Sequence, residues 1–258
     1  MNYNYHTHTY YCRHALGTPE EYVKRAIERG IKYMGFSEHI PLKFSDGTQS
    51  AYRIAEEDVE NYINEINYLK EKYKDQIEIK IGFESEYYPK YFKKMMKNAI
   101  SAGAEYLILG VHFTMPENEY GSSHTVVPTD SEEKLKDYVK NVISAISTGK
   151  FTYIAHPDVI NFTGDNELLK KEFTKLCKAA KRYNTPLEIN FLGIYDNRNY
   201  PNPIFWEAAG KVGAPVTFGM DAHDALRAYD GESLIKAEEM VKRYKLNYIG
   251  KPDIKKLK

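Results

Sequence analysis

The sequence predicts an α/β fold with a mainly parallel sheet, from the arrangement of its apolar residues. Short apolar or alternating runs recur along the 258 residues, and amphipathic helical patterns separate them. Strands that alternate with helices in this way are typical of repeated βα units. The seven predicted strands are Tyr3 to His8, Tyr33 to Glu38, Ile77 to Glu84, Tyr106 to His112, Tyr153 to His156, Pro186 to Asn190 and Pro215 to Asp221.

Helices are predicted between these strands. The first has a complete set of end signals, with Thr18 as N-cap, Pro19 at the first helical position and Gly30 after the last residue. The predicted helices are Pro19 to Arg29, Glu56 to Tyr73, Tyr91 to Ala102, Glu132 to Ser147, Asn166 to Tyr183, Pro203 to Val212 and Glu232 to Tyr244.

Length and composition predict one globular domain over residues 1–258. Hydrophobic residues make up 42% and charged residues 28%, which is the composition of a folded domain. The 36 basic and 36 acidic residues balance, so no long-range positive field would attract nucleic acid or an anionic membrane. The sequence has no apolar leader and no long apolar run, and we expect a soluble, cytoplasmic protein.

Seven of the eight histidines lie at or just after the ends of predicted strands. In parallel β/α barrels these strand ends and the loops after them form the active-site face. Two long loops, Pro41 to Ile54 and Phe113 to Asp130, follow such strand ends, and loops of this length are usually functional. The histidines are His6, His8, His14, His39, His112, His156 and His223, and the acidic residues Glu84 and Asp221 also follow strands.

Two pairs of candidate metal ligands have the same spacing. Alternate residues of a strand project to one face, so His6 and His8 can share an ion, although an isolated pair is equally compatible with two surface imidazoles. Asp221 and His223 repeat the spacing on a strand that neighbours the first when seven strands close. Imidazole with carboxylate suits Zn, Fe or Mn, and a carboxylate such as Glu84 can bridge two ions. The set indicates metal-assisted hydrolysis.

The sequence around these positions resembles the polymerase and histidinol phosphatase (PHP) family over nearly the whole chain. The stretch from Ser37 to Leu42, the pair Tyr52-Arg53 and the segment from Tyr62 to Tyr87 are similar to its monofunctional phosphatase branch. The family motifs are His6-Thr-His8 with His14, Ser37-Glu-His39, Gly82-Phe-Glu84, Gly110-Val-His112, Ala155-His156-Pro157 and Asp221-Ala-His223.

This resemblance implies a distorted seven-stranded (β/α)7 barrel of the TIM-like kind, with three divalent metal ions per chain. Zn, Fe and Mn all suit the implied ligands. The resemblance implies His6, His8, Glu84 and Asp221 on the first ion, Glu84, His112 and His156 on the second, and His14, His39 and His223 on the third.

The resemblance also implies the reaction, which is hydrolysis of the phosphomonoester L-histidinol phosphate in histidine biosynthesis by a metal-bridging hydroxide. Glu84 is the implied bridging ligand, and either Asp221 or His223 is expected to protonate the leaving group. The alternatives are a phosphatase of the same family for a nucleotide or phosphotyrosine, an amidohydrolase-type barrel, and a metal-binding regulatory domain. Nine intact ligand positions disfavour the last of these.

Three residues are candidates for substrate binding. Arg198 lies after the sixth predicted strand, where the family resemblance implies a phosphate-binding arginine, and a guanidinium offers fixed bidentate donors to phosphate. Arg13, between Cys12 and His14, is a second phosphate candidate, and His124 is a further candidate in the loop after the fourth strand. The alternatives are exposed loop side chains for Arg198 and His124, and a surface salt bridge for Arg13. Cys12 is interpreted as an uncoordinated thiol, with a metal-bound thiolate as the alternative.

Overall fold

The computed structural model describes residues 1–257, in which strands and helices alternate. The strands are β1 (Tyr3–Asn4), β2 (Tyr33–His39), β3 (Glu78–Ser85), β4 (Tyr106–Leu109), β5 (Leu187–Asn190), β6 (Pro215–Gly219) and β7 (Asn247–Tyr248). The helices are α1 (Pro19–Glu28), α2 (Val59–Lys72), α3 (Pro89–Ala102), α4 (Glu132–Ser147), α5 (Asn166–Arg182), α6 (Phe191–Tyr195), α7 (Pro203–Val212) and α8 (Gly231–Tyr244). Short 3-10 turns occupy Tyr10–Cys12, Glu56–Asp58 and Ala225–Ala228.

The strands form a curled parallel sheet in two parts, ordered β1-β2-β3-β4 and β5-β6-β7. Isolated parallel bridges link the two parts: Ile154 pairs with both Leu109 and Leu187 on one side. Thr7 pairs with Ala222 on the other side. The predicted α/β class is therefore confirmed as a curled parallel sheet consistent with a TIM-like barrel.

Several strands differ from their predicted extents. The predicted strand from Tyr153 to His156 forms bridges to both neighbours at Ile154 alone, and its backbone leaves the extended conformation at His156, where φ is 29°. The first predicted strand pairs regularly only over β1, with one further bridge at Thr7. The apolar pattern does not predict β7, whose two residues are both exposed.

The helix ends follow the local capping signals. Helix α1 begins at Pro19, where the Thr18 N–H donates to the Glu21 carboxylate at 2.7 Å, and Gly30 takes a φ of 78° after its end. Helices α4 and α7 have their predicted bounds. None of the helices within residues 1–257 is both long and apolar enough to cross a membrane.

A tyrosine fills the space beneath the strand ends. Tyr106 on β4 is fully buried in a cluster with Tyr5 and Tyr153, and its hydroxyl donates to the carbonyl of Tyr5 at 2.8 Å. A Cβ at Gly35 would lie 2.2 Å from the Tyr106 hydroxyl oxygen, and one at Gly82 would lie 2.4 Å from its ring. Both positions therefore require glycine, and the interior of the curled sheet is packed.

Candidate active site

A cavity of about 410 Å³ opens where the parallel strands end. Arg198 and His124 line it, whereas the fully buried His6 and His8 lie outside its lining. The predicted ligands on its wall are His14, His39, Glu84, His112, His156, Asp221 and His223.

Backbone pairing brings the two equally spaced ligand pairs side by side. The His8 N–H donates to the carbonyl of Ala222 at 2.9 Å, and the Ala222 N–H donates to that of His6 at 3.3 Å. Asp221 Oδ1 consequently lies 3.3 Å from His6 Nε2 and 3.5 Å from His8 Nε2. Asn190 Nδ2 donates to the other oxygen, Asp221 Oδ2, at 3.0 Å and so fixes the direction of the carboxylate.

One oxygen of the buried Glu84 carboxylate faces three imidazoles. Glu84 Oε2 lies 3.4 Å from His6 Nε2 and 3.2 Å from His8 Nε2. It also lies 3.3 Å from His39 Nδ1. Parallel pairing of β2 with β3 sets His39 opposite Glu84, so these residues meet because two strands end at the same level.

The second oxygen of Glu84 faces a different pair of imidazoles. Glu84 Oε1 lies 3.0 Å from His156 Nε2 and 3.6 Å from His112 Nε2. A Cβ at Gly110 would lie 2.0 Å from this oxygen, so the glycine after β4 makes room for the carboxylate. Glu84 thus has one oxygen for each group of histidines, which is the arrangement that a bridging ligand requires.

A third group of imidazoles lies nearer the mouth of the cavity. His14 Nδ1 and His223 Nδ1 lie 2.8 Å and 3.0 Å from the carbonyl oxygens of Cys12 and Asp221, so each Nδ1 carries the proton. The two unprotonated Nε2 atoms then face each other at 3.0 Å. Two lone pairs so close repel unless a cation lies between them.

The unpaired polar atoms of this site show that its residues fit divalent metal ions. Among the described residues, buried polar atoms without a hydrogen-bond partner include His6 Nε2, His8 Nε2, His39 Nδ1 and Glu84 Oε2. Leaving one such atom unpaired costs about 1–3 kcal/mol, and these four face one another. Imidazole and carboxylate groups within 4.8 Å of one another include the sets His6, His8, Asp221; His6, Glu84, His156; and His8, His39, His223.

The electrostatics of the site couple its acids to its bases. Burial opposes ionisation of Glu84, but the neighbouring His112 and His6 hold the pKa of its carboxyl well below the ordinary value. Burial likewise opposes protonation of His6, but Asp221 above all raises the pKa of the imidazole. The carboxylates thus draw positive charge into the site, and protons compete with metal ions for it as the pH falls.

Glu188 on β5 holds His6 and the backbone of His156 in place, and the sequence analysis did not predict this role. Its fully buried carboxylate lies 2.8 Å from His6 Nδ1 and accepts from the His156 backbone N–H at 3.0 Å and from Asn190 Nδ2 at 2.9 Å. The contact leaves His6 Nε2 free to face the site, and carboxylates in this position orient metal-binding histidines. An acidic residue inside a short apolar strand is the signal that was available in the sequence.

Replacement of Glu188 by Gln should weaken zinc binding about 10- to 100-fold, because His6 loses the carboxylate that orients it. The measurement is a zinc titration in competition with a chromophoric chelator. Glu172→Gln is the matched control, because Glu172 is also buried but pairs with Lys175 on helix α5. Equal zinc affinities for Glu188→Gln and the unmodified protein would contradict this role.

Arg53 supports His112 through a second buried carboxylate, Glu86. Glu86 Oε1 lies 2.9 Å from His112 Nδ1, and its other oxygen accepts from Arg53 Nη2. Arg53 is 1% exposed and also donates through Nε to Glu117 at 2.8 Å, which ties both long loops to the end of β3. Burial opposes its charge, but Glu86 and Glu117 raise the pKa of Arg53 further above its ordinary value.

Replacement of Arg53 by Met should lower the free energy of unfolding by about 3–5 kcal/mol, because the buried Glu86 and the partly buried Glu117 lose their countercharge. The shift of the urea unfolding midpoint measures this effect. In the control, Lys70→Met breaks a half-buried ion pair with Glu105 and should cost about 1 kcal/mol or less. An equal decrease in the free energy of unfolding in the two variants would show that the buried network stabilises the protein no more than a half-buried ion pair does.

The structure brings two of the three substrate-binding candidates to the cavity. His124 accepts the Val126 N–H at Nδ1, at 3.2 Å, so its protonated Nε2 is a donor. Burial, and then His112, lowers the pKa of His124 to about 4. The third candidate, Arg13, takes a φ of 67° and is absent from the cavity lining; its guanidinium lies 4.0 Å from Asp58.

Cys12 is fully buried, with its sulfur 3.8 Å from His14 Nε2. Burial raises the pKa of the Cys12 thiol well above its ordinary value. Its interpretation as an uncoordinated thiol stays a prediction, because its sulfur also belongs to a group with His14 and His223 that could hold a metal ion.

Fold and site together define an α/β protein that collects imidazole and carboxylate ligands at the ends of its parallel strands. The sequence profile of the PHP domain matches residues 4–191. The chain therefore belongs to the PHP domain family.

Relatives in this family extend over most of the chain. The histidinol-phosphatase of Bacillus subtilis (strain 168) is 27% identical over 251 residues, covering 85% of this chain and 92% of its own. The histidinol-phosphatase of Lactococcus lactis subsp. lactis (strain IL1403) is 26% identical over 257 residues, covering 93% and 90%. A crystal structure of histidinol phosphate phosphatase from the same Lactococcus strain, complexed with zinc, L-histidinol and phosphate, is 21% identical with a TM-score of 0.72, covering 96% of this chain and 95% of its own.

Proposed function

We propose that this chain is a histidinol-phosphatase that hydrolyses L-histidinol phosphate to L-histidinol and inorganic phosphate. The observation that carries the proposal is the shared position of Glu84, with one oxygen toward each of two imidazole groups beside an arginine-lined cavity. The relatives support the substrate, since two are histidinol-phosphatases and a structural neighbour holds zinc, L-histidinol and phosphate.

We further propose three divalent metal ions, Zn, Fe or Mn, in a closed seven-stranded barrel of one domain. Such ions supply Lewis acidity toward the phosphoryl oxygens and activate water. His6, His8, Glu84 and Asp221 would hold the first ion, Glu84, His112 and His156 the second, and His14, His39 and His223 the third.

The residues of the chain would position the substrate and move its proton. Arg198 binds the phosphate oxygens through its guanidinium, and the Nε2–H of His124 donates from the loop after β4. Leu192 with two valines forms an apolar part of the wall that suits the flat imidazole of the substrate. Asp221 and His223 face the cavity together, and one of them passes a proton to the departing alcohol oxygen. Arg13 lies outside the cavity lining, and its role in phosphate binding stays a prediction.

The experiment that tests the function is phosphate release from L-histidinol phosphate, AMP, phosphotyrosine and p-nitrophenyl phosphate at equal concentrations. We expect kcat/KM for L-histidinol phosphate to exceed that of each other substrate by about tenfold or more, because the apolar wall binds its imidazole and Arg198 binds its phosphate. A Glu84→Ala preparation measures any contaminating phosphatase. Preference for AMP or phosphotyrosine would replace the substrate while leaving the hydrolytic chemistry in place.

A further inference from the structure

An ion pair between Asp196 and Arg198 lies at the mouth of the cavity. Asp196 Oδ2 accepts from Arg198 Nη2 at 2.8 Å and from Nε at 3.1 Å, while Arg198 Nη1 donates to the Tyr200 hydroxyl at 3.2 Å. Both side chains of the pair line the cavity, with 37% and 40% of their surfaces exposed. Asn197 between them has a φ of 51° and turns the backbone where the two side chains meet.

Among the described residues, Asp196 is the one carboxylate of the cavity wall outside the predicted ligand set; the others are Glu84 and Asp221. A phosphomonoester carries close to two negative charges at neutral pH. A carboxylate beside the phosphate-binding guanidinium repels that charge and competes with it for the same donors. Asp196 therefore opposes a simple phosphomonoester and favours one that carries a positive charge close to its phosphate.

We propose that Asp196 binds the ammonium group of an aminoalkyl phosphate and selects that class of substrate; the assignment of histidinol phosphate as the member of the class rests on the proposed function. Two carbon atoms separate the ammonium nitrogen of histidinol phosphate from its ester oxygen, so its opposite charges are neighbours, like those of Asp196 and Arg198. The phosphate takes the place of Asp196 on Arg198, and the ammonium takes the place of Arg198 on Asp196. Each of the four charged groups therefore still has an oppositely charged partner when the substrate is bound. The exposed ion pair between Asp196 and Arg198 is weak enough for the substrate to replace it.

The test compares kcat/KM of Asp196→Asn and the unmodified protein on two substrates. These are L-histidinol phosphate and 3-(imidazol-4-yl)propyl phosphate, which lacks only the amine. For L-histidinol phosphate, kcat/KM should fall about 10- to 100-fold through loss of a charged hydrogen bond. For the analogue it should rise, because Asp196 no longer repels the phosphate or occupies Arg198. Asp137→Asn on the exposed face of α4 is the charge-matched control and should keep the original ratio of the two values.

The deciding quantity is kcat/KM for L-histidinol phosphate divided by kcat/KM for the analogue. Loss of a merely structural contact would lower both values together and leave this ratio unchanged. A fall in the ratio of about tenfold or more supports the ammonium contact, and any smaller change overturns it. An unmodified protein with no preference for the amine-bearing substrate also overturns it. If that protein still hydrolyses L-histidinol phosphate well, the proposed function stands; preference for AMP or p-nitrophenyl phosphate would end both.

Discussion

Replacement of Glu84 by Ala is expected to remove most of the bound metal and to lower kcat by about a thousandfold or more. The two oxygens of Glu84 face different groups of imidazoles, with His8 Nε2 at 3.2 Å from Oε2 and His156 Nε2 at 3.0 Å from Oε1. Loss of this one side chain therefore affects both proposed ion positions that share it. Metal content by inductively coupled plasma mass spectrometry and phosphate release from L-histidinol phosphate are the two measurements.

Two further variants separate loss of the bridge from loss of the fold. Glu84→Gln keeps the shape of the side chain but lacks the charge that holds two cations, and should lose metal nearly as completely. Glu133→Gln, on the exposed face of α4, should retain both metal and activity. If Glu84→Ala is folded by circular dichroism and keeps more than about a tenth of its kcat, Glu84 is not the bridge.

Replacement of Arg198 by Ala should lower kcat/KM for L-histidinol phosphate about 100-fold, chiefly through a higher KM. Arg198 is the permanent cation of the cavity wall among the described residues, and its guanidinium is held in place through the Tyr200 hydroxyl. Arg198→Lys should recover only part of the loss, because an ammonium group lacks the fixed bidentate donors of guanidinium. Initial-rate kinetics over a range of substrate concentrations separates KM from kcat.

A distant arginine provides the comparison for this effect. Arg182→Ala, at the exposed end of α5, removes the same charge and should change kcat/KM less than about twofold. If Arg198→Ala behaves in the same way, phosphate is bound by other groups, and Arg198 serves only its ion pair with Asp196.

The sequence predicts the helices better than the strands, for a physical reason. Helices α4 and α7 have the predicted bounds because capping residues and apolar spacing are local signals. Strand pairing depends on neighbours distant in the sequence. The segment around Ile154 is apolar enough for a strand, yet it forms one bridge to each neighbour and its backbone turns at His156.

The predicted ligands come together because each follows a strand and parallel strands end at one edge. The positions of Glu188, Glu86 and Arg53 were not predictable in the same way, because their roles come from partners that are distant in the sequence, such as His6 and His112. A buried acid within an apolar strand is the trace that Glu188 leaves in the sequence. Asp196 leaves none, since acidic residues are common in loops.

The number of divalent ions bound per chain tests the proposed metal centre most directly. Protein purified without chelators and saturated with zinc or manganese should contain close to three ions by inductively coupled plasma mass spectrometry, because three groups of ligands converge at the strand ends. Its rate of phosphate release from L-histidinol phosphate should rise with that content and fall when a chelator removes it. Full activity with less than about one ion per chain would contradict the metal centre on which the proposed hydrolysis depends.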